Sequence, residues 1–229
     1  MSWCTRQAVE AFFYGKSVAI VGSGPGVLDN EPGFIDSHDI VVRVNNHRCL
    51  DEVTGRRTDA HYSFYGTSIK KTAAELREEG VRLCLCKCPP CDNGPFIRSE
   101  WHVKNKKLHG IDFRYIYDAR KDWWFTSTYV PSHEEFMASF NLLNQHIPST
   151  GFSAILLIKG MAKSIYLTGF DFFASRIHNV NEPWRPGNPD DPIGHAPELE
   201  RKWLAQNLDG ITLDRKLTRI VENDGAVLV

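Results

Sequence analysis

Short apolar runs recur along the chain and are separated by segments with helical spacing. The apolar runs predict strands at Val18–Val21, Ile40–Val44, Ala60–Tyr65, Val81–Cys86 and Ser164–Asp171, with a further short strand at Phe113–Tyr117. Helical spacing, capping residues and terminal glycines predict helices at Thr5–Tyr14, Ser68–Glu79, Glu134–Asn144, Phe152–Ala162 and Pro197–Leu208. This alternation predicts an α/β fold with a Rossmann-like, doubly wound and mostly parallel sheet.

Two segments are predicted to be loops. Gly22 to Gly33 is rich in glycine and proline, and Ala174 to Ile193 is long enough to form a lid or an acceptor-binding loop. The 229 residues fit one domain. We expect a single domain over 1–229, with a nucleotide-binding core at 16–171, a loop or lid at 172–195, and a C-terminal helix and tail at 196–229.

The composition limits the classes of partner that the protein is expected to bind. Hydrophobic residues make up 42% of the chain, enough to cover both faces of a sheet, and the formal net charge of −1 gives no global attraction to nucleic acid. An anionic ligand would therefore need a local pocket. The longest apolar run, Ala154 to Ile158, is too short to span a bilayer, and no signal peptide is evident. We expect a soluble cytoplasmic protein without an integral membrane segment.

The cysteines allow two interpretations. Four of the six cysteines form the pattern Cys84-x-Cys86-x-Cys88-x-x-Cys91, whose last pair has the spacing of a zinc or iron–sulfur ligand pair. A second pair at matching spacing is missing. The pattern therefore favours a buried strand in which cysteines act as small hydrophobic residues, and it leaves metal binding open.

The first strand and its turn suggest a nucleotide site. The turn Gly22-Ser23-Gly24-Pro25-Gly26 follows the first apolar strand, as in a Rossmann-like domain. A dinucleotide fingerprint would place a third glycine at Val27, and an acidic residue would end the second strand, where Arg43-x-Asn45-Asn46 stands instead. An NAD(P)-dependent oxidoreductase is therefore an alternative rather than the favoured interpretation.

Three further positions carry candidate chemistry. Pro148-Ser149-Thr150-Gly151 opens a helix, where hydroxyl and N–H groups can bind an anion or simply cap the helix. Asn45 can bond a ribose or phosphate oxygen, or belong to a turn. His195 precedes Pro197, which suits a helix start; the positive helix end would keep its imidazole neutral and able to accept a proton, although an exposed histidine is the simpler alternative.

The order of these segments resembles the family 29 sialyltransferases. The stretch Ile35-Asp36-Ser37-His38-Asp39 to Asn45, followed by Gly55-Arg56-Arg57-Thr58-Asp59, is similar to the large sialylmotif. Pro148 to Gly151 with Tyr166-Leu167-Thr168-Gly169-Phe170 resembles the small motif, and His195-x-x-x-x-Glu200 resembles the very small motif. Ser23 stands where family members usually have asparagine, and the family's anchor helix and stem have no counterpart in the sequence.

The resemblance implies a GT-A-like sialyltransferase variant of the fold. It also implies an inverting transfer of sialic acid, or a related 2-keto-3-deoxy acid sugar, from a CMP-activated donor to the hydroxyl of a glycan acceptor, without a metal or other cofactor. His195 would be the general base and His178 a donor to the leaving phosphate. The implied donor-binding residues are Gly22, Ser23, Gly24, Pro25, Asn45, Ser149, Thr150, Gly151, Gly169 and Asp171. A catalytically silent nucleotide-sugar- or glycan-binding relative is a further alternative, and the oligomeric state is left open.

Overall fold

One parallel sheet organises the structure, a computed structural model that describes residues 4–47, 51–64, 69–87, 126–173, 177–178, 182–183 and 195–225. Seven strands form this sheet in the order β5-β4-β3-β2-β1-β6-β9. Their bounds are β1 Ser17–Val21, β2 Ile40–Val44, β3 Ala60–Ser63, β4 Leu83–Cys86, β5 Ser127–Tyr129, β6 Ser164–Thr168 and β9 Ile211–Leu213. Ile177–His178 (β7) and Glu182–Pro183 (β8) form a separate antiparallel pair. The predicted α/β class with a parallel sheet is confirmed.

Helices connect the strands and begin at capping residues. In chain order they are α1 Arg6–Phe13, α2 Ala73–Glu78, α3 His133–Leu142, α4 Thr150–Ile158, α5 Pro197–Gln206 and α6 Arg215–Gly225, with short 3-10 helices at Pro25–Asp29 and Ile35–Ser37. Thr72 and Ser132 each form a capping box with a glutamate three residues later. These local signals explain why the helices start where they do.

Both faces of the sheet are buried. Val18 and Ile20 of β1 belong to a core cluster that includes residues of α1, α4, α5 and α6. Ala19 and Val21 alternate with them and pack in a second cluster with Val27 and Ile35, under the two 3-10 helices. Burial on both faces explains why the sequences of the parallel strands are continuous apolar runs.

Several predicted boundaries need correction. The helix predicted from Ser68 begins at Ala73, because Thr72 caps it, and the strand predicted from Val81 begins at Leu83. The helix predicted to end at Ala162 ends at Ile158, before Gly160 adopts a φ of 91°. The predicted loop over Gly22–Gly33 contains the 3-10 helix Pro25–Asp29.

Some elements fall outside the predictions. β5, β9 and α6 were not predicted, and Ala174–Ile193, predicted to be a loop, contains the β7–β8 pair. The predicted strand Phe113–Tyr117 lies outside the described residues, as does most of the segment predicted to be a lid. Among the described helices, none is both long and apolar enough to cross a membrane.

The described cysteines of the Cys84–Cys91 pattern are packed in the core. Cys84 and Cys86 lie in β4, are almost fully buried, and belong to a cluster with residues of α2 and α3. This position matches the buried-strand interpretation. Cys88 and Cys91 lie outside the described residues, so metal binding by the full pattern stays a prediction.

Candidate active site

The strand order creates a crevice next to β1. From β1 the chain builds the sheet outward through β2, β3, β4 and β5, whereas β6 and β9 lie on the other side of β1. Connections that leave neighbouring strands in opposite directions open a gap at the carboxyl ends of those strands, where ligands of doubly wound folds bind. The gap lies between β1 and β6, beyond Val21 and Thr168.

Three glycines close the base of this crevice. The Gly22 N–H donates to the Thr168 carbonyl at 2.8 Å, and the Gly24 N–H donates to the Gly169 carbonyl at 2.7 Å. A Cβ on Gly22 would overlap the Gly169 carbonyl oxygen, and Gly169 itself has a φ of 71°. Close backbone contact between the Gly22–Gly24 turn and the turn after β6 therefore explains why glycines stand at these positions.

Asp214, which the sequence interpretation did not single out, fixes these turns. Its buried carboxylate accepts hydrogen bonds from the Gly169 N–H at 2.9 Å and from the Leu217 N–H at 2.7 Å, at the start of α6. A Cβ on Gly26 would lie 2.8 Å from the Asp214 Oδ2. The Asp214 carboxylate thus contacts three segments, namely the Gly22–Gly26 turn, the turn after β6 and the beginning of α6.

The N-terminus of α4 lies at the same edge of the sheet. The helix runs back toward the start of β6, so its first turn is at the carboxyl ends of the strands. Among the described backbone hydrogen bonds, none uses the N–H groups of Thr150 and Gly151 as donors. Both point along the positive end of the helix dipole, so they suit an anionic group.

Gly151 also has a packing role. A Cβ at this position would overlap the ring of Phe170, the second residue after β6. The glycine lets Phe170 pack directly on the first turn of α4. This contact brings the small-motif segments 148–151 and 166–170 together.

Ser149 connects the start of α4 to Glu200. Its N–H and its hydroxyl donate to the two carboxylate oxygens of Glu200, at 2.6 and 2.7 Å, and its Oγ accepts from the Phe152 N–H. In this structure Ser149 therefore caps α4 and anchors Glu200. Its donor-binding role stays a prediction.

Glu200 links α5 to α4. Its side chain is fully buried, and this burial raises its pKa to about 7, although the two bonds from Ser149 and the charge of Lys87 oppose the rise. The sequence placed Glu200 within the very small motif but gave it no role. The structure makes it the connection between the motif that holds Ser149 and the one that holds His195.

His195 has the properties of a proton acceptor. Its Nδ1 lies 2.5 Å from the carbonyl oxygen of Ile147, so Nδ1 carries the proton and donates it. Nε2 then has its lone pair available. Burial, together with a smaller contribution from the positive charge of Lys87, lowers the pKa of His195 to about 3, so the imidazole is neutral at physiological pH. The neutral state agrees with the prediction, but burial rather than the helix end is its main cause.

A strained turn after β6 places an aromatic ring on His195. Phe172 and Phe173 have φ values of 50° and 65°, which are rare for bulky residues. The ring of Phe173 stacks on the His195 imidazole with centroids 5.9 Å apart and an interplanar angle of 12°. Asp171 accepts a hydrogen bond from the Phe173 N–H and lies beside Gly24. Strain of this kind is retained where the surrounding structure needs the side chains in place.

Asn45 follows β2, the strand next to β1. Its φ is 49°, its side chain is partly exposed, and its Oδ1 accepts a hydrogen bond from the Ser63 hydroxyl at 3.2 Å. The two amide hydrogens on Nδ2 have no hydrogen-bond acceptor in the part of the chain that the structure describes. This arrangement presents donors beyond the carboxyl end of β2.

The large-motif residues around Asn45 serve the fold. Arg43 is almost completely buried and donates to the carbonyls of Thr54 and Arg57. Asp36 accepts from the Arg56 and Arg57 N–H groups. Arg43 therefore holds the 54–57 turn against β2.

The remaining predicted residues are placed as follows. Ser23 lies in the turn between Gly22 and Gly24, and Pro25 is the first residue of the 3-10 helix. His178 belongs to β7, but its side chain lies outside the described residues. Its proposed contact with a phosphate stays a prediction.

Lys87 is a charged residue that sequence reasoning missed. It follows β4, is only 7% exposed, and its charge acts on both His195 and Glu200. Its position was a usable signal, because Lys87 follows an apolar strand and other strands of the sheet also end in polar residues. This segment was assigned to the cysteine pattern instead.

No family model matches the chain, and no curated protein matches it in sequence. Solved structures do match. The sialyltransferase CstII from Campylobacter jejuni, solved with the substrate analogue CMP-3FNeuAc, superimposes with a TM-score of 0.54 at 18% identity, over 87% of this chain and 81% of that one.

A mammalian sialyltransferase, solved with Gal-beta-1-3GalNAc-ortho-nitrophenol, gives a TM-score of 0.52 at 16% identity, over 90% of this chain and 71% of that one. Another structure described as a mammalian sialyltransferase gives 0.51 at 17% identity, over 87% and 68%. The chain therefore has a sialyltransferase-like α/β fold, with the motif segments meeting at the carboxyl edge of its sheet.

Proposed function

We propose that the protein is an inverting glycosyltransferase that moves sialic acid, or a related 2-keto-3-deoxy acid sugar, from a CMP-activated donor to a sugar hydroxyl. The state of His195 carries this proposal. Its Nδ1–H is bound by the Ile147 carbonyl, which leaves a neutral imidazole with a basic Nε2 in a candidate site on a sialyltransferase-like fold.

The reaction requires one proton transfer and one displacement. The acceptor hydroxyl attacks the anomeric carbon while His195 Nε2 takes its proton. The bond between the anomeric carbon and the phosphate oxygen breaks, and its electron pair leaves with CMP. Attack from the face opposite the leaving group inverts the configuration. The Ile147 carbonyl supports the imidazolium that forms, because it accepts the Nδ1–H in both states.

The donor carries a phosphate and a carboxylate, and the crevice offers groups for both. The N–H groups of Thr150 and Gly151 at the start of α4 suit one anionic group. Asn45 Nδ2 would donate to a ribose or phosphate oxygen, and the Gly22–Gly24 turn would contact the nucleotide. We further propose that the reaction uses no metal or other cofactor, since CMP is a good leaving group and helix N-terminal donors stabilise its charge.

The dinucleotide alternative fits less well. In a Rossmann dinucleotide site the glycine turn opens an α-helix whose N-terminus faces the pyrophosphate. Here the turn leads into a 3-10 helix of five residues, Pro25–Asp29. A silent nucleotide-sugar-binding protein would not need a histidine held in one tautomer at the site.

Calorimetric binding of nucleotides tests the proposal. We expect CMP to bind with a larger affinity than UDP, GDP or NAD(P), and EDTA to leave that affinity unchanged. Binding should also raise the melting temperature, since a ligand at about 100 times its Kd stabilises a protein by about 2.7 kcal/mol. Preferential binding of NAD(P), or loss of CMP binding with EDTA, would contradict the proposal.

A further inference from the structure

Three consecutive residues after β2 are each held by a different part of the structure. Asn45 is held by β3, the Asn46 side-chain oxygen accepts from the Lys70 N–H at 2.6 Å, and His47 Nε2 lies 2.5 Å from a Glu79 carboxylate oxygen. Such complete fixation of a turn is unusual, because loops are ordinarily mobile and solvated. It indicates that the position of Asn45 matters.

The backbone of Asn45 is fixed in a left-handed conformation. Its N–H donates to the Tyr62 carbonyl at 3.0 Å, and its own carbonyl accepts from His61 Nε2 at 2.8 Å. His61 is fully buried, and burial together with the nearby His47 lowers its pKa to about 3, so the ring is a neutral donor at this nitrogen. Asparagine tolerates φ of 49° better than most residues, but it still needs partners to remain there.

The side-chain amide of Asn45 is fixed in one orientation. Ser63, also fully buried, donates from its hydroxyl to the Asn45 Oδ1 at 3.2 Å. An amide whose oxygen is held in this way presents its Nδ2 hydrogens on the other side. His61 and Ser63 are two residues apart on β3, so their side chains lie on the same face of the strand.

A second layer supports His61. The ring centroids of His47 and His61 are 5.2 Å apart, and Glu79 bonds both His47 and the Lys71 ammonium group. His61 is therefore packed against a ring that is itself anchored to α2's C-cap residue. The His61 ring thus has a packed neighbour in addition to its hydrogen bond to the Asn45 carbonyl.

We propose that His61 and Ser63 are positioning residues that set the affinity for the nucleotide by holding the Asn45 backbone and amide in the ligand-binding orientation. The inference rests on the proposed function, in which Asn45 donates to CMP. Neither residue touches the ligand; each acts through Asn45.

A double-mutant cycle measured by calorimetry with CMP tests this inference. We expect Ser63→Ala to weaken CMP binding about fivefold, the size of one lost hydrogen bond. Asn45→Gly, which keeps the left-handed backbone but removes the amide, should weaken binding about tenfold. Because Ser63 acts only through Asn45, adding Ser63→Ala to Asn45→Gly should produce no further loss.

The controls separate positioning from general destabilisation. Thr128→Val removes another buried hydroxyl from the same sheet, one that donates to the Thr126 carbonyl, and should leave CMP affinity unchanged. His61→Gln retains a donor and should weaken binding less than His61→Leu does. If the Ser63→Ala protein does not fold, the comparison of His61→Gln with His61→Leu tests the positioning role instead.

The outcomes are distinct. Additive losses in the cycle, or unchanged affinity in Ser63→Ala, would overturn the positioning role while leaving the proposed function intact. A wild-type protein that binds no CMP would overturn the proposed function, and the inference with it.

Discussion

Arg43 and Asn45 are two residues apart at the end of β2, but they differ in burial and in role. Arg43 is 1% exposed and donates to two backbone carbonyls, whereas Asn45 is partly exposed beyond the carboxyl end of β2. A sequence shows that both are polar and does not show which one the following turn will cover. The donor-binding role of Asn45 stays a prediction, whereas the hydrogen bonds of Arg43 assign that residue to the fold.

Arg43→Met should therefore affect stability more than nucleotide binding. The substitution leaves the carbonyls of Thr54 and Arg57 without their donor, which should lower the free energy of unfolding by about 2–5 kcal/mol. Arg56→Met is the matched control: its side chain is 68% exposed, and the expected change is within about 0.5 kcal/mol. Urea unfolding measures both, and equal effects of the two substitutions would refute the buried role.

His195 illustrates what sequence can and cannot establish at this scale. Its motif predicted a neutral base near a helix start. The carbonyl of Ile147, the ring of Phe173 and the charge of Lys87 come from distant parts of the chain. The carbonyl determines the tautomer of His195, whereas burial and the Lys87 charge lower its pKa. No local pattern contains that information.

Among the elements, the buried strands were the easiest to predict. β1, β2 and β6 are covered on both faces, so their apolar runs are continuous. β5 and β9 are three residues long and lie at the two edges of the sheet, where a short run leaves almost no pattern. α6 did have a signal, since Leu217, Ile220 and Val221 follow helical spacing after the capping residue Asp214.

Packing between α4 and the β6 turn gives a test at this scale. Gly151→Ala would force a methyl group into the Phe170 ring and should lower the free energy of unfolding by about 1–3 kcal/mol. The clash involves a side chain, so Phe170→Leu in the same protein should recover part of the loss.

Gly22→Ala is the variant to compare with Gly151→Ala. Its methyl group would meet the Gly169 backbone, which no trimmed side chain can relieve, so the loss should exceed about 3 kcal/mol and persist in the Phe170→Leu background. Chemical unfolding of Gly151→Ala and Gly22→Ala, each alone and combined with Phe170→Leu, measures these losses of stability. A Gly151→Ala protein as stable as the wild type would show that the contact is loose.

For the whole molecule, buried ionisable groups couple folding to pH. Burial lowers the pKa values of His47, His61 and His195 to about 4, 3 and 3, so these rings bind protons mainly when the chain unfolds. Their stabilising contribution is present above pH 6.5 and is lost as the pH falls from there through about 4 for His47 and about 3 for His61 and His195. Burial of Glu200 acts in the opposite direction, because its pKa of about 7 exceeds its ordinary value and its contribution is lost as the pH rises from 4.5 through 7.

Unfolding at pH 5.5 should therefore take up about two protons in net terms, with three gained by the histidines and one released by Glu200. The slope of unfolding free energy against pH measures this number. Glu200→Gln should raise the uptake to about three protons, since it removes the group that releases one. A slope near zero at pH 5.5 would show that the histidines are not buried in the neutral form.

The same scale explains how much of the candidate site could be predicted from the sequence. The segments around residues 22, 45, 150, 169 and 195 are far apart along the chain, and their order alone suggested one site. The sheet order places the ends of β1, β2 and β6 beside one another, and Glu200 and Phe173 connect α5 to that edge. Those two connections depend on burial and backbone strain, which the motifs do not encode.

The most direct test is the release of CMP from CMP-N-acetylneuraminic acid by the wild type and by His195→Ala, with lactose and with water as acceptors. We predict turnover by the wild type and a decrease in kcat of about 100-fold or more in the variant, because a general base contributes about 10²–10⁴-fold. The Kd for CMP should remain the same in both proteins. Equal turnover by the two, or none by a wild-type protein that binds CMP, would contradict a base-assisted sialyl transfer.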